Sequence, residues 1–147
     1  MNIDLLRRVD RGLGIPWVHL LSSFKGDGRI GTVRRALVVK LFGLGNLIML
    51  TPAMRALHSA FPGLELDLLT FRQNAGAARM YPHLIRRAHL VPYSVLPLAG
   101  ALARVILRER RYDLVIDAEQ FIRYTAMASL LLGPRVLAGL PTPGSRK

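Results

Sequence analysis

Apolar and polar positions alternate between two rhythms from residue 34 onward. "RALVVKL" (35–41) is a near-continuous apolar run with β-branched residues, the pattern of a strand covered on both faces. Leu47, Leu50, Met54, Leu57 and Phe61 then recur in steps of three and four, which predicts a helix with one apolar stripe. Pro52 sits inside the stripe without disturbing its phase, so one helix kinked at Pro52 is expected. The rival reading starts the helix there, with Thr51 as N-cap and Pro52 in the first position. "FPG" (61–63) ends it.

The same rhythms continue downstream. "LELDLLT" (64–70) reads as a second strand, "RQNAGAARMYP" as a short helix at best, and "IRRAHLVP" (85–92) as a weaker third strand. Val95, Leu98, Leu102 and Val105 share one helical face within 94–111. "YDLVIDAE" (112–119) is a clear strand, "FIRYTAMASLLLG" a helix closed by Gly133 and Pro134, and "RVLAGL" a last short strand. Strands alternating with helices predict right-handed β-α-β units. The fold class is therefore α/β, a Rossmann-like parallel sheet with helices on both faces.

Residues 1–24 follow a different pattern. Ile3, Leu6, Val9 and Leu13 are spaced nearly as on a helix, with Arg7, Arg8 and Arg11 between them and Trp17 beyond. Such a leader fits an amphipathic segment on a membrane surface, or a helix packed on the domain; Gly12, Gly14 and Pro16 interrupt it. The glycine-rich "KGDGRIGT" marks residues 25–33 as a linker, 34–140 as the Rossmann-like domain, and "PTPGSRK" (141–147) as the start of an interdomain linker. No apolar stretch reaches the roughly 18–20 residues of a membrane span.

Charge narrows the partners. Eighteen arginines and three lysines against nine acids give a formal charge of +12. Arginine forks suit phosphate and carboxylate, so a polyanion is implicated: a phosphorylated saccharide, an anionic membrane face or a nucleic acid. No nucleic-acid motif accompanies the charge, and nucleic acid is not expected. The chain has no cysteine, which excludes disulfides and thiol chemistry; the four histidines lack metal-ligand spacing, so no metal is expected.

Candidate chemistry gathers at "GLGN", where the first strand ends. Gly43 and Gly45 allow close backbone approach to a ligand beyond the strand's carboxyl end. A dinucleotide fingerprint would need a third glycine where Ile48 stands, although Asp67 lies at the right distance for its acidic residue. Alternatively the turn is a tight corner in which Asn46 caps the helix.

"VVKLFGLGNLIMLTPAMRALHSAFPGLELDLLT", with "YDLVIDAEQFIRYTAMASLLL" about forty residues later, resembles the N-terminal half of the heptosyltransferase-like proteins of glycosyltransferase family 9. The likeness covers roughly residues 34–140, and the leader resembles the N-terminal extension of some members. It implies the N-terminal half of a GT-B architecture, whose facing C-terminal domain carries the nucleotide-sugar donor, ADP-heptose-like, and needs no other cofactor. It also implies an inverting transfer, assisted by a carboxylate base, to an anionic glycolipid or saccharide acceptor such as lipopolysaccharide core. The location implied is cytoplasmic, with peripheral contact at the inner membrane face.

This chain departs from the pattern at one position of consequence. Asn46 stands where the family has its general-base aspartate. An amide orients a hydroxyl but takes no proton at neutral pH. Glu119 is a substitute-base candidate, while Lys40, Asp117 and Arg123, with Gly43 and Gly45, are the substrate-binding candidates. The expected donor domain is absent from these 147 residues, so the fragment alone is expected to be inactive. The alternative is a non-catalytic anion- or glycan-binding module, or a degenerate paralogue.

Overall fold

The computed structural model describes residues 31–109, 112–119 and 123–139. The leader (1–24), most of the 25–33 linker and the 141–147 tail lie outside the described residues. The elements are β1 (Arg35–Val39), α1 (Leu44–Met49), α2 (Thr51–Ala60), β2 (Glu65–Phe71), a single 3-10 turn (Arg72–Asn74), α3 (Ala75–Arg79), β3 (Arg87–Val91), α4 (Val95–Arg108), β4 (Leu114–Asp117), α5 (Arg123–Leu131) and β5 (Val136–Gly139). The strands form one sheet in the order β3-β2-β1-β4-β5. Every pair is parallel, with Val39 opposite Leu69 on one side and Asp117 on the other. This is the doubly wound, Rossmann-like order expected from the alternation.

Alternate residues of the strands feed two cores. Ala36, Val38, Leu66 and Leu68 face Leu47 of α1, Met54 of α2 and Ala77 and Ala78 of α3. Leu37, Val39, Leu69, Phe71, Val91 and Val115 face Leu102 of α4 and Ala128 of α5. Each buried leucine or valine contributes about 1.5–3 kcal/mol by leaving water. Both faces need such residues, hence the unbroken apolar run of β1.

The chain after β1 follows the second sequence reading in starting a new helix at Thr51 with Pro52 in its first turn, but its N-cap is Leu50 and not Thr51. α1 and α2 meet at Leu50, whose backbone stays right-handed helical (φ −77°, ψ −9°) and which is itself the N-cap of α2. Pro52 has no N–H to give the carbonyl four residues back, that of Ile48. The Thr51 hydroxyl donates to the Ile48 carbonyl oxygen instead, at 2.6 Å. The Thr-Pro pair thus repairs its own break, and the apolar stripe runs on in phase.

β4 is shorter than the predicted 112–119 because its flanking residues bond elsewhere. Asp113 Oδ2 accepts from the backbone N–H groups of Arg34 (2.9 Å) and Arg35 (3.0 Å). The Tyr112 hydroxyl donates to Asp67 Oδ2 at 2.7 Å. Asp67 is fully buried within β2 and also receives Nε and Nη2 of Arg86 at 2.9 and 2.6 Å. Burial pushes its carboxyl up, but hydrogen bonds from His89, Arg86 and Tyr112 prevail and hold it at about 2. With both oxygens engaged in mid-strand, Asp67 is not placed as a ribose ligand, which removes the dinucleotide reading.

Asp67, His89 and Glu109 offer ligand atoms within 4.8 Å of one another. The fold brings them together from β2, β3 and the end of α4, so no local spacing could have signalled them. Guanidinium groups already occupy the two carboxylates: Arg86 on Asp67, and Arg35 and Arg87 on Glu109.

The Thr51 repair is directly testable. Thr51→Val, which keeps shape and removes the donor, is expected to lower unfolding free energy by about 1–2 kcal/mol, while Thr51→Ser retains most of it. Urea denaturation of the three proteins checks this.

Candidate functional site

In such a sheet the chain leaves β1 towards one face and β4 towards the other, opening a crevice beyond their carboxyl ends. Residues 40–46 and 118–119 meet there, and Arg123 opens α5 after β4.

The physical problem at this edge is unpaired backbone. β1 leaves the ladder once Lys40 N–H has bonded the Leu69 carbonyl at 3.0 Å. The next two amides, of Leu41 and Phe42, need an acceptor. Glu119 Oε2 accepts both, at 3.1 and 2.9 Å. Its other oxygen faces Lys40 Nζ at 3.5 Å, and that ammonium also donates to the Ala118 carbonyl at 3.1 Å. Asn74 Nδ2 donates to the Leu41 carbonyl at 2.9 Å and to Thr70 Oγ1 at 2.9 Å. Both polar groups of Leu41 are therefore fixed, one from β4 and one from the turn after β2.

Asp117 completes this cluster. Its Oδ1 accepts the Glu119 N–H at 3.0 Å, and Thr125 of α5 hydrogen-bonds its side chain. Burial pushes the Asp117 carboxyl up to about 6; the Glu119 charge adds to the rise, and the bonds from Glu119 N–H and Thr125 oppose it.

The predicted site residues thus separate into two groups. Lys40, Asp117 and Glu119 come together but are buried, at 4%, 6% and 3% exposure. The substrate-binding candidate Lys40 and the base candidate Glu119 are therefore turned inward, their charged atoms facing each other and backbone. Gly43, Gly45 and Asn46 form an exposed corner above them.

At Gly43 (φ +84°) the backbone is in a region that L side chains rarely adopt, and a Cβ there would lie 2.7 Å from Asn46 Nδ2. At Gly45 a Cβ would meet nothing within 4 Å, so that backbone is open to an approaching ligand. Asn46 does not cap α1; Gly43 is the N-cap, with no side-chain capping bond, and Asn46 sits in the first turn. The side chain of Arg123 lies outside the described residues.

Asn74, Thr125 and an aromatic trio were not legible in the sequence. Phe42, Phe71 and Tyr93, each just beyond or at the end of a different strand, pack edge to face with centroids 4.9–5.7 Å apart. Each is unremarkable alone, and only the parallel register brings them together.

The Gly43–Asn46 corner thus stands at the strand-order reversal of a doubly wound sheet, the place where folds of this class bind ligands. No protein-family model matches the chain. It is 30% identical over 105 residues to lipopolysaccharide heptosyltransferase 1 of Escherichia coli O18:K1:H7 (strain RS218 / NMEC), covering 66% of this chain and 32% of that protein. The protein of the same name from strain K12 is also 30% identical over 105 residues, with 66% and 33% covered. The chain spans about a third of the length of the curated relatives it matches.

Among solved structures, the glycosyl transferase family 9 protein from Veillonella parvula DSM 2008 superposes with a TM-score of 0.65 at 18% identity, over 76% of this chain and 32% of that one. E. coli heptosyltransferase WaaC, solved with ADP-2-deoxy-2-fluoro heptose, gives 0.53 at 23% identity, over 72% and 35%. The fold is of the GT-B glycosyltransferase type, and over the matched region the chain is heptosyltransferase-like, of the family 9 kind.

Two outcomes are expected of the buried cluster. Glu119→Ala, which strands two amides and the Lys40 charge, should cost about 3–5 kcal/mol. Glu119→Gln should cost less, because an acceptor oxygen remains; urea midpoints decide. For Asp117 the folded carboxyl takes its proton first as pH falls. Its contribution to stability therefore rises from pH 7 through 6 towards 4, by on the order of 2 kcal/mol. Unfolding free energies of the wild type and Asp117→Asn at pH 7.5 and 4.5 should diverge in the wild type's favour at the lower pH.

Proposed function

We propose that the chain is the N-terminal, acceptor-binding lobe of an inverting glycosyltransferase. The sugar moved is heptose or a close relative, carried from a nucleotide-sugar to lipopolysaccharide core or a similar anionic glycolipid. The observation that carries this reading is the exposed Gly43–Asn46 corner at the sheet's strand-order reversal, entered through Leu41 and Phe42, whose backbone Glu119 and Asn74 bind. The similarity to heptosyltransferase 1 supports it, and the relatives' roughly twofold greater length leaves room for a donor-binding lobe outside these residues.

In this reading an acceptor hydroxyl lies over Gly45 and is oriented by Asn46. Deprotonation as the hydroxyl attacks the anomeric carbon requires a base. Asn46 cannot supply one, because its amide has no proton affinity at neutral pH. Glu119 is poorly suited as a substitute, since its oxygens hold two amides and face Lys40. The basic surface suits an anionic acceptor and peripheral contact with an anionic membrane face. No helix among the described residues is long and apolar enough to cross a membrane.

A second reading rests on Asn46 itself: a lobe that binds its glycan but no longer catalyses transfer. One experiment separates the two. The 147-residue chain alone should turn over no nucleotide-sugar. On the second reading, joining it to the donor-binding lobe of a heptosyltransferase and restoring the acid with Asn46→Asp should raise turnover roughly 100-fold or more. Turnover by the unaltered chain alone would contradict the first reading; a large gain from Asn46→Asp would mark a disabled enzyme, and no change would point to a different base in a working one.

A further inference from the structure

A groove of about 400 Å³ runs between edge strand β3 and helix α4, two strands over from β1, and Gly43–Asn46 do not line it. Its lining includes Arg72, just after β2, His89 and Val91 of β3, and Gly100, Arg104 and Val105 of α4. That volume falls within the range of small-molecule sites. Three elements contribute a cation or titratable base, Leu90, Val91, Pro92, Ala101 and Val105 are apolar, and no carboxylate among the described residues lines it. A Cβ at Gly100 would meet nothing within 4 Å, so this wall stays open.

The charge bookkeeping of the described residues sharpens the point. Their six carboxylates are all engaged elsewhere. Glu65, Asp67 and Glu109 take Arg35, Arg86 and Arg87, Asp113 takes Arg135, Glu119 takes Lys40, and Asp117 takes the Glu119 amide. Arg72 and Arg104 are exposed and have no carboxylate partner among the described residues.

His89 is held from behind. Tyr112 spends its hydroxyl proton on Asp67, which leaves its oxygen to accept from His89 Nε2 at 3.3 Å. The imidazole is thereby oriented at the groove wall, with its other nitrogen uncommitted to that bond.

We propose that this groove is an anion site for a small organic molecule carrying a phosphate monoester or a carboxylate. Arg72 and Arg104 fork onto the charged group, and the half-buried Pro92, Ala101 and Val105 receive the body of the molecule. Both anions match a guanidinium fork. The site uses no residue of the 40–46 corner and does not depend on the transferase reading.

Glucose, glucose 6-phosphate and glucuronate differ only in the charged group and serve as probes, with inorganic phosphate as the anion alone. They are titrated into the ¹⁵N-labelled 147-residue chain at fixed ionic strength, following amide shifts. The expected result is saturable shifts centred on 89–105 with glucose 6-phosphate or glucuronate, whichever anion the site prefers, stronger than with phosphate and absent with glucose. Arg72→Gln and Arg104→Gln should each weaken binding roughly tenfold, and the exposed Arg108→Gln should not. Amide spectra of the variants check that each is folded. The proposal is overturned by the absence of saturable shifts, by an equal loss in Arg108→Gln, or by shifts centred on residues 41–46.

Discussion

One carboxylate decides the shape of the edge on which the candidate site stands. Where β1 leaves the sheet, two consecutive amides have no ladder partner, and Glu119 reaches across from the end of β4 to accept both with a single oxygen. A neutral side chain could bond the amides but would leave Lys40 buried without a counter-charge. The charge pair and the amide bonds are therefore one unit, and the open corner from Gly43 to Asn46 is built on top of it. A ligand meeting that corner meets a backbone whose position is settled before it arrives.

The two buried polar clusters of this fold show how environment assigns opposite properties to the same residue type. Asp67 lies among Arg86, Tyr112 and His89, and its carboxyl is held low. Asp117 lies beside Glu119, deep in the sheet edge, and is pushed up to about 6. The first cluster ties β2 to α4 and the start of β4, and its charges balance internally. The second sits at the crevice, and burial is the largest cause of the Asp117 rise. Its bonds to the Glu119 amide and Thr125 nevertheless make it part of the clamp.

Fold and similarity converge on a family 9, heptosyltransferase-like lobe of the GT-B type. Within that frame Asn46 is the informative departure. The corner retains the glycines that shape it and the open approach at Gly45, yet carries an amide where a base would serve. In the proposed reading, holding a hydroxyl and deprotonating it are separable, and Asn46 offers only the first.

The sequence by itself determined the order and kind of the elements. Its apolar runs and three-four stripes can be buried in only one way on a two-faced parallel sheet, and its glycine corner had to follow the first strand. It also pointed to Lys40, Asp117 and Glu119, which gather near that corner, because strand ends in such a sheet are fixed by topology. Only the tertiary structure decided which of them face solvent. Lys40 and Glu119 carry full charges and look exposed on paper. They are buried because β1 and β4 run side by side in register, making each the other's counter-ion and Glu119 the acceptor for the amides that β1 leaves behind. The same register assembled Asp67 with its arginines and Phe42 with Phe71 and Tyr93, contacts between residues far apart in sequence that no local pattern encodes.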